Sequence, residues 1–400
     1  MGPHLLLTYD FPPIGGGIAR MTGEVAARYP VGQLVVSTGR VPGDAEADAH
    51  LPNRVDRLSL PSARLRTLPG LVRWTRRASE LVRQQEVGFA WCGNIKPALY
   101  PAHWLRVRLG IPTGLFVYGM DLLLLREQAR RSALKRRAAR SLLGDVAVIA
   151  AISHWTAELC RDVLQEIGLV PSADLIRVVP LGTDPVIFHP GIDTTAIRQH
   201  HQLPAGRWLL TVARLTAHKG IDTGIRVLAS LAGEFPELRY AVVGTGADRA
   251  ELEALAARLG VGDRVRILSG IPDRELPAFY NLAELYLGLS RQSERAVEGF
   301  GISLVEASAC GVPVVAGRTG GIPDAVREGE TGRLMDPYDP EAIASTVRAL
   351  LRDADERHRL GTGGRRLVES YLNWDRVARE LCAMGEEFSR DGATRPPGAR

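Results

Sequence analysis

The stretch EGFGISLVE carries two carboxylates, Glu298 and Glu306, separated by a Gly-Phe-Gly turn and a short apolar run. Paired carboxylates are the usual equipment for acid/base chemistry on sugars. Their spacing tests that reading. Along one helix, eight residues rise about 12 Å. Retaining glycosidases hold their carboxyls about 5–5.5 Å apart and inverting ones about 6.5–9.5 Å, so a helical pair fits neither. The better reading places Glu298 and Gly299 before a helix and Ser303 to Glu306 in its first turns. The N–H groups of Phe300, Gly301 and Ile302 then point out of the helix end, where the dipole favours negative charge. That arrangement suits one elongated ligand gripped at two places. A plainer alternative makes Glu306 a solvated helix residue and Glu298 a loop charge.

Three other loops could meet an anion. VARLTAHKG holds Arg214 and Lys219, a guanidinium fork and an ammonium point charge that together suit a pyrophosphate. Lysine is rare here, with Lys96, Lys135 and Lys219 the only ones among 50 cationic residues, so Lys219 carries extra weight. FPPIGGGIAR offers Gly15, Gly16 and Gly17 before a helix. It is not a dinucleotide fingerprint, because Arg20 stands where the third glycine belongs, and no Gly-Lys-Ser/Thr follows to make a P-loop. VVGTGADRAEL places Gly244 and Gly246 after a strand, which a tight turn explains equally well. The one Asp-x-Asp, Asp353 to Asp355, lies in an amphipathic helical stretch and reads as a solvated face. The four cysteines (Cys92, Cys160, Cys310, Cys382) are scattered, with no C-x-x-C and no histidine cluster. They imply a reduced, cytoplasmic chain without structural zinc.

These loops need elements to hold them. A length of 400 residues exceeds one ordinary core and implies two or three domains. At 45% hydrophobic and 24% charged residues, a disordered or fibrous chain is excluded. HLLLTYD, QLVVSTG, GFAWCG, TGLFVYG and VAVIAAIS are continuous apolar runs separated by helical stretches, the pattern of parallel strands covered on both faces. Near residue 180 the texture turns to proline and glycine. A second series then begins: RWLLTVARL, LRYAVVGTG, RVRILSG, AELYLGLS and VPVVAG. Two doubly wound α/β units follow, with ligands expected at the carboxyl ends of strands. The boundaries read as a first domain over 1–182, a hinge over 183–204 and a second domain over 205–374. A C-terminal helix at about 375–390 packs back on the first domain, and a frayed tail spans 391–400.

Charge is uneven: residues 1–200 carry +7 and residues 201–400 carry −2. The densest basic run is Arg126 to Arg140, either a solvated helix face or a basic helix near anionic lipid. The start, MGPHLLLTYDFPP, lacks a cationic region before its short apolar run and reads as a first strand rather than a signal peptide. No stretch approaches the roughly 20 apolar residues of a membrane span, so any membrane contact would be peripheral, on the inner face of the cell membrane.

Taken together, the motifs DFPPIGGGI, VVPLGTDPVIFHP, VARLTAHKGID, VVGTGADRAELEALA, GIPDRELPAFYNLAELYL, EGFGISLVEASACGVPVVAGRTGGIPDAV and TGRLMDPYDPEAIA resemble those of family 4 retaining glycosyltransferases, which have the two-domain GT-B fold. The likeness covers roughly residues 1–390. It implies a nucleotide-sugar donor in the second domain and a hydroxyl acceptor (glycolipid, glycan or small molecule) held mainly by the first. By that resemblance Glu306 bonds the donor ribose, and Glu298 sits by the sugar hydroxyls with the N–H groups of Phe300, Gly301 and Ile302 beside it. Arg214 and Lys219 neutralise the diphosphate, Gly16 and Gly17 close on it, Gly244 borders it, and Ile271 and Asp273 lie near the base. On the acceptor side stand Asp10, Tyr118 and Asp121. The implied chemistry is hexosyl transfer with retention, without a metal or other cofactor, the protein cations stabilising the leaving nucleoside diphosphate.

Two residues depart from the family pattern. Tyr118 stands where a histidine is usual, and a tyrosine hydroxyl can donate one hydrogen bond there but cannot be cationic. Asp324 stands where glutamate is commoner. The loops RQSERAVEGFGISLVEASACGVPVVAG and YDFPPIGGGIARM are similar to those of mannosyltransferases acting on phosphatidylinositol-type lipids. That similarity favours GDP-mannose over UDP-sugars and suits an acceptor at an anionic membrane. No nucleic-acid partner is expected. Competing readings are another GT-B nucleotide-sugar enzyme (an epimerase or phosphorylase), a donor-binding subunit with reduced or lost activity, and a nicotinamide-dependent oxidoreductase, which the failed glycine spacing opposes.

Overall fold

Apolar runs of four to six residues alternate with helices, and a computed structural model shows them assembled into two parallel sheets; residues 2–293 and 296–394 are described. The first sheet has seven strands: β1 (His4–Leu7), β2 (Leu34–Arg40), β3 (Arg54–Pro61), β4 (Phe89–Cys92), β5 (Thr113–Val117), β6 (Val148–Ala151) and β7 (Ile176–Val178), in the order β3-β2-β1-β4-β5-β6-β7. The second has six: β8 (Arg207–Val212), β9 (Leu238–Val243), β10 (Val265–Leu268), β11 (Leu285–Gly288), β12 (Val314–Gly317) and β13 (Gly332–Met335), in the order β10-β9-β8-β11-β12-β13. Every strand pair in both is parallel. Each sheet runs outward in both directions from its first strand, so the order reverses between β1 and β4 and again between β8 and β11. Such a reversal opens a crevice at the carboxyl ends of the two strands.

Each unit has its own core. In the first, Leu5, Leu7, Leu115, Val117 and Ile149 from the sheet pack with Trp74, Leu81 and Leu105 from covering helices. In the second, Leu209, Val242, Leu287 and Val315 pack with Ile225, Ile343 and Leu360. The strands β1, β4, β5, β6 and β12 are buried at every position, which is why they read as unbroken apolar runs.

The units comprise residues Met1–Pro180 with Trp374–Arg400, and Leu181–Asn373. The segment expected as a hinge, 183–204, is packed within the second unit. Thr183 bridges Asn373, Phe188 is buried with its ring 5.8 Å from that of Tyr280, and Arg365 Nη1 donates to the carbonyls of Pro185, Phe188 and Ala309. Its proline- and glycine-rich start is irregular, a short helix Thr195–His200 follows, and the whole is held to a core. Helix Trp374–Thr394 lies against helix Gly17–Arg28 of the first unit. It continues through Thr394, so residues 391–394 extend the helix instead of fraying, and 395–400 lie outside the described residues.

Two further expectations are corrected. The basic run Arg126 to Arg140 is not one helix. It breaks at Ser132, whose hydroxyl accepts from Lys135 N at 3.3 Å and caps helix Ala133–Leu143 after helix Met120–Arg131. Asp353 and Asp355 are both exposed, as a solvated face requires, but Asp353 precedes the helix: its carboxylate accepts from Glu356 N at 2.8 Å and caps helix Ala354–Ser370.

Candidate active site

The crevice between β8 and β11 gathers most of the chemistry of the second unit. After β8 the chain makes a turn over Ala217–Lys219 that Gly220 closes at φ +68°, where a Cβ would collide with the Leu289 carbonyl. Arg291 clamps this turn. Its guanidinium donates to both oxygens of Asp222 (2.6 and 3.1 Å) and to the Ala217 carbonyl (2.7 Å), and its N–H donates to the His218 carbonyl (2.7 Å). The turn thereby delivers Lys219, whose ammonium pairs with Glu298 from the loop after β11. Both side chains are mostly buried, at 15% and 21% exposed. Burial, followed by the charges of Lys219, Arg214 and Arg291, holds the His218 imidazole below its ordinary pKa and therefore neutral at pH 7.

A small cavity opens beside that pair, lined by Thr211, Ala213, Lys219, Tyr286, Glu298 and Ser303 among others. Tyr286 OH donates to Ser303 Oγ at 2.8 Å and accepts from Val212 N at 3.2 Å, tying β11 to the start of the next helix and to β8. That helix is Ile302–Ala309. Gly301 precedes it at φ +99°, a value that L side chains rarely adopt, and caps a helix start whose first N–H groups have no partner within the helix. Phe300 is buried, so only its backbone is available to a ligand. The Glu298 loop has a backstop. Gly321 N donates to the Glu298 carbonyl at 2.9 Å, and at Gly320 (φ +54°) a Cβ would collide with that same carbonyl.

Glu306, one turn into the helix, is buried and accepts from Tyr280 OH at 2.5 Å. The two glutamates are therefore held apart in role, Glu298 by a cation and Glu306 by a phenol. Arg214 follows β8 by two residues and is exposed, with no carboxylate in salt-bridge reach among the described residues. Gly244 follows β9 at φ +155°, against the Ala213 carbonyl. Ile271 and Asp273 follow β10, two strands from the crevice, Ile271 half-buried and Asp273 exposed at the start of the turn Asp273–Glu275.

In the first unit, the loops after β1, β4 and β5 form a second polar cluster. Asp10 accepts from Asn94 Nδ2 at 3.3 Å, and burial raises its pKa. Tyr118 is buried and its OH donates to the Gly93 carbonyl at 2.8 Å, which occupies the one proton expected to serve a ligand. Asp121 Oδ1 accepts from the N–H groups of Tyr118 (3.1 Å) and Leu122 (3.0 Å). Its Oδ2 is buried without a hydrogen bond, and burial pushes its pKa up to about 6 against those bonds. Gly16 and Gly17 stand exposed at the start of helix Gly17–Arg28, Gly16 at φ +125°. Arg66 lies over the Tyr9 ring, 5.4 Å from its centroid.

Sequence reasoning missed Tyr280, Tyr286, Thr211, Arg291, Asn94, Tyr9 and Arg66. The tyrosines look like strand and helix core, and only the Gly320-Gly321 pair, inside the GRTGGIPDAV stretch, could have signalled its part.

The glycosyl transferases group 1 family matches residues 193–367. Over 388 residues, 92% of this chain and 94% of the relative, the chain is 31% identical to the GDP-mannose-dependent alpha-(1-6)-phosphatidylinositol monomannoside mannosyltransferase of Mycolicibacterium smegmatis. The fold is that of sucrose-phosphate synthase from Thermosynechococcus elongatus (TM-score 0.75, 23% identity, 98% of this chain and 100% of that one). It is equally that of Anabaena HepE in complex with UDP and glucose (TM-score 0.74, 20% identity, 96% and 99%). On the strength of the full-length mannosyltransferase match and the two Rossmann-like sheets, the chain belongs to the group 1 glycosyl transferases and has the GT-B fold.

Proposed function

We propose that the chain transfers a mannosyl group from GDP-mannose to a hydroxyl of a glycolipid acceptor, with retention of configuration and without a metal ion. The observation that carries this reading is the Lys219–Glu298 pair at the β8/β11 reversal, beside the glycine-capped start of helix Ile302–Ala309. A diphosphate arriving there meets Lys219, the exposed Arg214 and the helix N–H groups. Lys219 shifts from Glu298 to phosphate, which frees the carboxylate for sugar hydroxyls, and Glu306 takes the ribose. As the glycosidic bond breaks, those positive groups stabilise the charge on the departing GDP. In the first unit, Gly16 and Gly17 offer N–H groups at the start of helix Gly17–Arg28 to a phosphate, while Asp10 and Asp121 orient the acceptor hydroxyl. The relative's name supports mannose, GDP and a phosphatidylinositol-type acceptor.

The test is label transfer from GDP-mannose, UDP-glucose or UDP-N-acetylglucosamine to a phosphatidylinositol mannoside, with and without EDTA. Transfer from GDP-mannose alone, unaffected by EDTA, is expected. Stabilisation by NAD and by no sugar nucleotide would overturn the reading. One observation favours a second reading, a donor-binding subunit of low activity: the Tyr118 proton is already given to Gly93. It predicts GDP-mannose binding with no transfer over a broad acceptor screen.

A further inference from the structure

Away from the donor site, helix Leu99–Leu109 of the first unit turns Tyr100, Trp104 and Val107 to solvent, 40%, 47% and 58% exposed. Their spacing puts them on one face, and the Arg108 guanidinium lies over the Trp104 ring, 5.0 Å from its centroid. Helix Ala133–Leu143 lies against it. At one end, burial and then the charge of Lys135 lower the pKa of Lys96, which just precedes the first helix. At the other, Arg106 pairs with Asp145, just past the end of the second.

The second helix buries only Ala139 and Leu143 and leaves the rest of its length exposed or half-buried. It exposes Leu134 at 78% and carries Lys135, Arg136, Arg137 and Arg140 with no acidic residue. None of these four has a carboxylate in salt-bridge reach among the described residues. The preceding helix differs, because Arg126 and Arg130 bind Glu166 and Arg131 binds Glu127. Only the second half of the basic run therefore has charge to offer a partner.

We propose that the paired helices Leu99–Leu109 and Ala133–Leu143 dock the chain on an anionic lipid surface. Trp104 and Tyr100 enter the headgroup layer, where amphipathic rings are favoured. Val107 and Leu134 reach the acyl boundary, and the unpaired cations meet lipid phosphates. A nucleic acid offers nothing to Val107 and Leu134. A two-fold dimer on this face would set its cations against themselves. No helix among the described residues is long and apolar enough to cross a membrane, so the contact is peripheral. The inference goes beyond the proposed activity and is tested without donor or acceptor, so either can fail alone.

The experiment is cosedimentation of the full chain with vesicles of phosphatidylcholine, alone or mixed with phosphatidylglycerol, at low and high salt, with circular dichroism confirming that each variant is folded. At least tenfold tighter binding to the anionic vesicles is expected, weakened by salt. Trp104→Ser should weaken it about fivefold. Since each cation near an anionic surface is worth about fivefold in affinity, Lys135→Gln/Arg136→Gln/Arg137→Gln should weaken it about 100-fold. The matched control Arg226→Gln/Arg258→Gln/Arg366→Gln, in exposed positions of the second unit, should stay within about twofold of wild type. Absence of anionic preference, unchanged binding in the helix variants, or an equal loss in the control would each overturn the proposal. So would sedimentation velocity showing a dimer that Trp104→Ser dissociates.

Discussion

Lys219 and Glu298 hold each other across 79 positions of chain, and each is suited to a different part of the same ligand. Removing the ammonium should strike turnover more than folding. Lys219→Ala is expected to lower kcat by about 10²–10³, the usual cost of one donor to a developing negative charge, with a stability change near 1 kcal/mol; steady-state kinetics and urea unfolding separate the two. Glu306 calls for a gentler substitution, because Tyr280 OH donates to its buried carboxylate. Glu306→Gln keeps an acceptor for that phenol and should fold, yet weaken GDP binding about tenfold by calorimetry; an unchanged affinity would remove Glu306 from the donor site.

Asp121 gives a pH signature. Its folded pKa, about 6, is raised above the ordinary 3.8. Its favourable contribution is therefore complete below about pH 3.8 and lost as pH rises through 6. The gap between those two values corresponds to a penalty on the order of 3 kcal/mol at neutral pH. Asp121→Asn keeps an oxygen for the two backbone donors, so it should raise the melting temperature at pH 7.5, leave it near wild type at pH 4, and lower transfer activity. Equal melting at both pH values would show that the carboxyl is not desolvated.

At the scale of elements, two glycines mark where loops and helices touch too closely for a side chain. Gly320 supports the Glu298 carbonyl, and alanine there must push the Glu298 loop away. Gly320→Ala is expected to lower donor affinity about tenfold and cost about 1–3 kcal/mol. In the first unit, a Cβ at Gly385 of helix Trp374–Thr394 would strike the buried His4 ring, which bonds Tyr29 OH at 2.6 Å. Gly385→Ala should cost a similar amount in urea unfolding while leaving GDP affinity unchanged.

The strands show what pattern alone can reach. Those read from apolar runs are mostly interior, buried on both faces. The three that the apolar pattern does not reveal, β3, β7 and β13, lie at sheet edges. β3 interleaves arginine, aspartate and serine with its apolar residues, and β7 is three residues long. An edge strand pairs on one side only and keeps solvent on its flank, so its sequence need not be apolar.

At the scale of the whole molecule, two units with separate cores predict two thermal transitions rather than one. GDP at 100 times its Kd should add about 2.7 kcal/mol to the unit that binds it. Differential scanning calorimetry is expected to show the transition of residues 181–373 rising with GDP, and Lys219→Ala or Glu306→Gln reducing that rise. If GDP shifts neither transition, the donor site has been misplaced.

By itself the sequence determined the alternation of strand and helix, the two-unit organisation, the family and the helix that begins after Gly301. Each of these is written in local spacing, apolar runs and glycine positions, where neighbours in sequence are neighbours in space. Only the tertiary structure decided that Lys219 faces Glu298, that Glu306 lies beneath the Tyr280 phenol, that the Tyr118 proton goes to Gly93, and that the supposed hinge belongs to a core. Those pairings depend on which strands lie side by side. The crevice between β8 and β11 exists because the sheet reverses its order there, and chain order does not state spatial order.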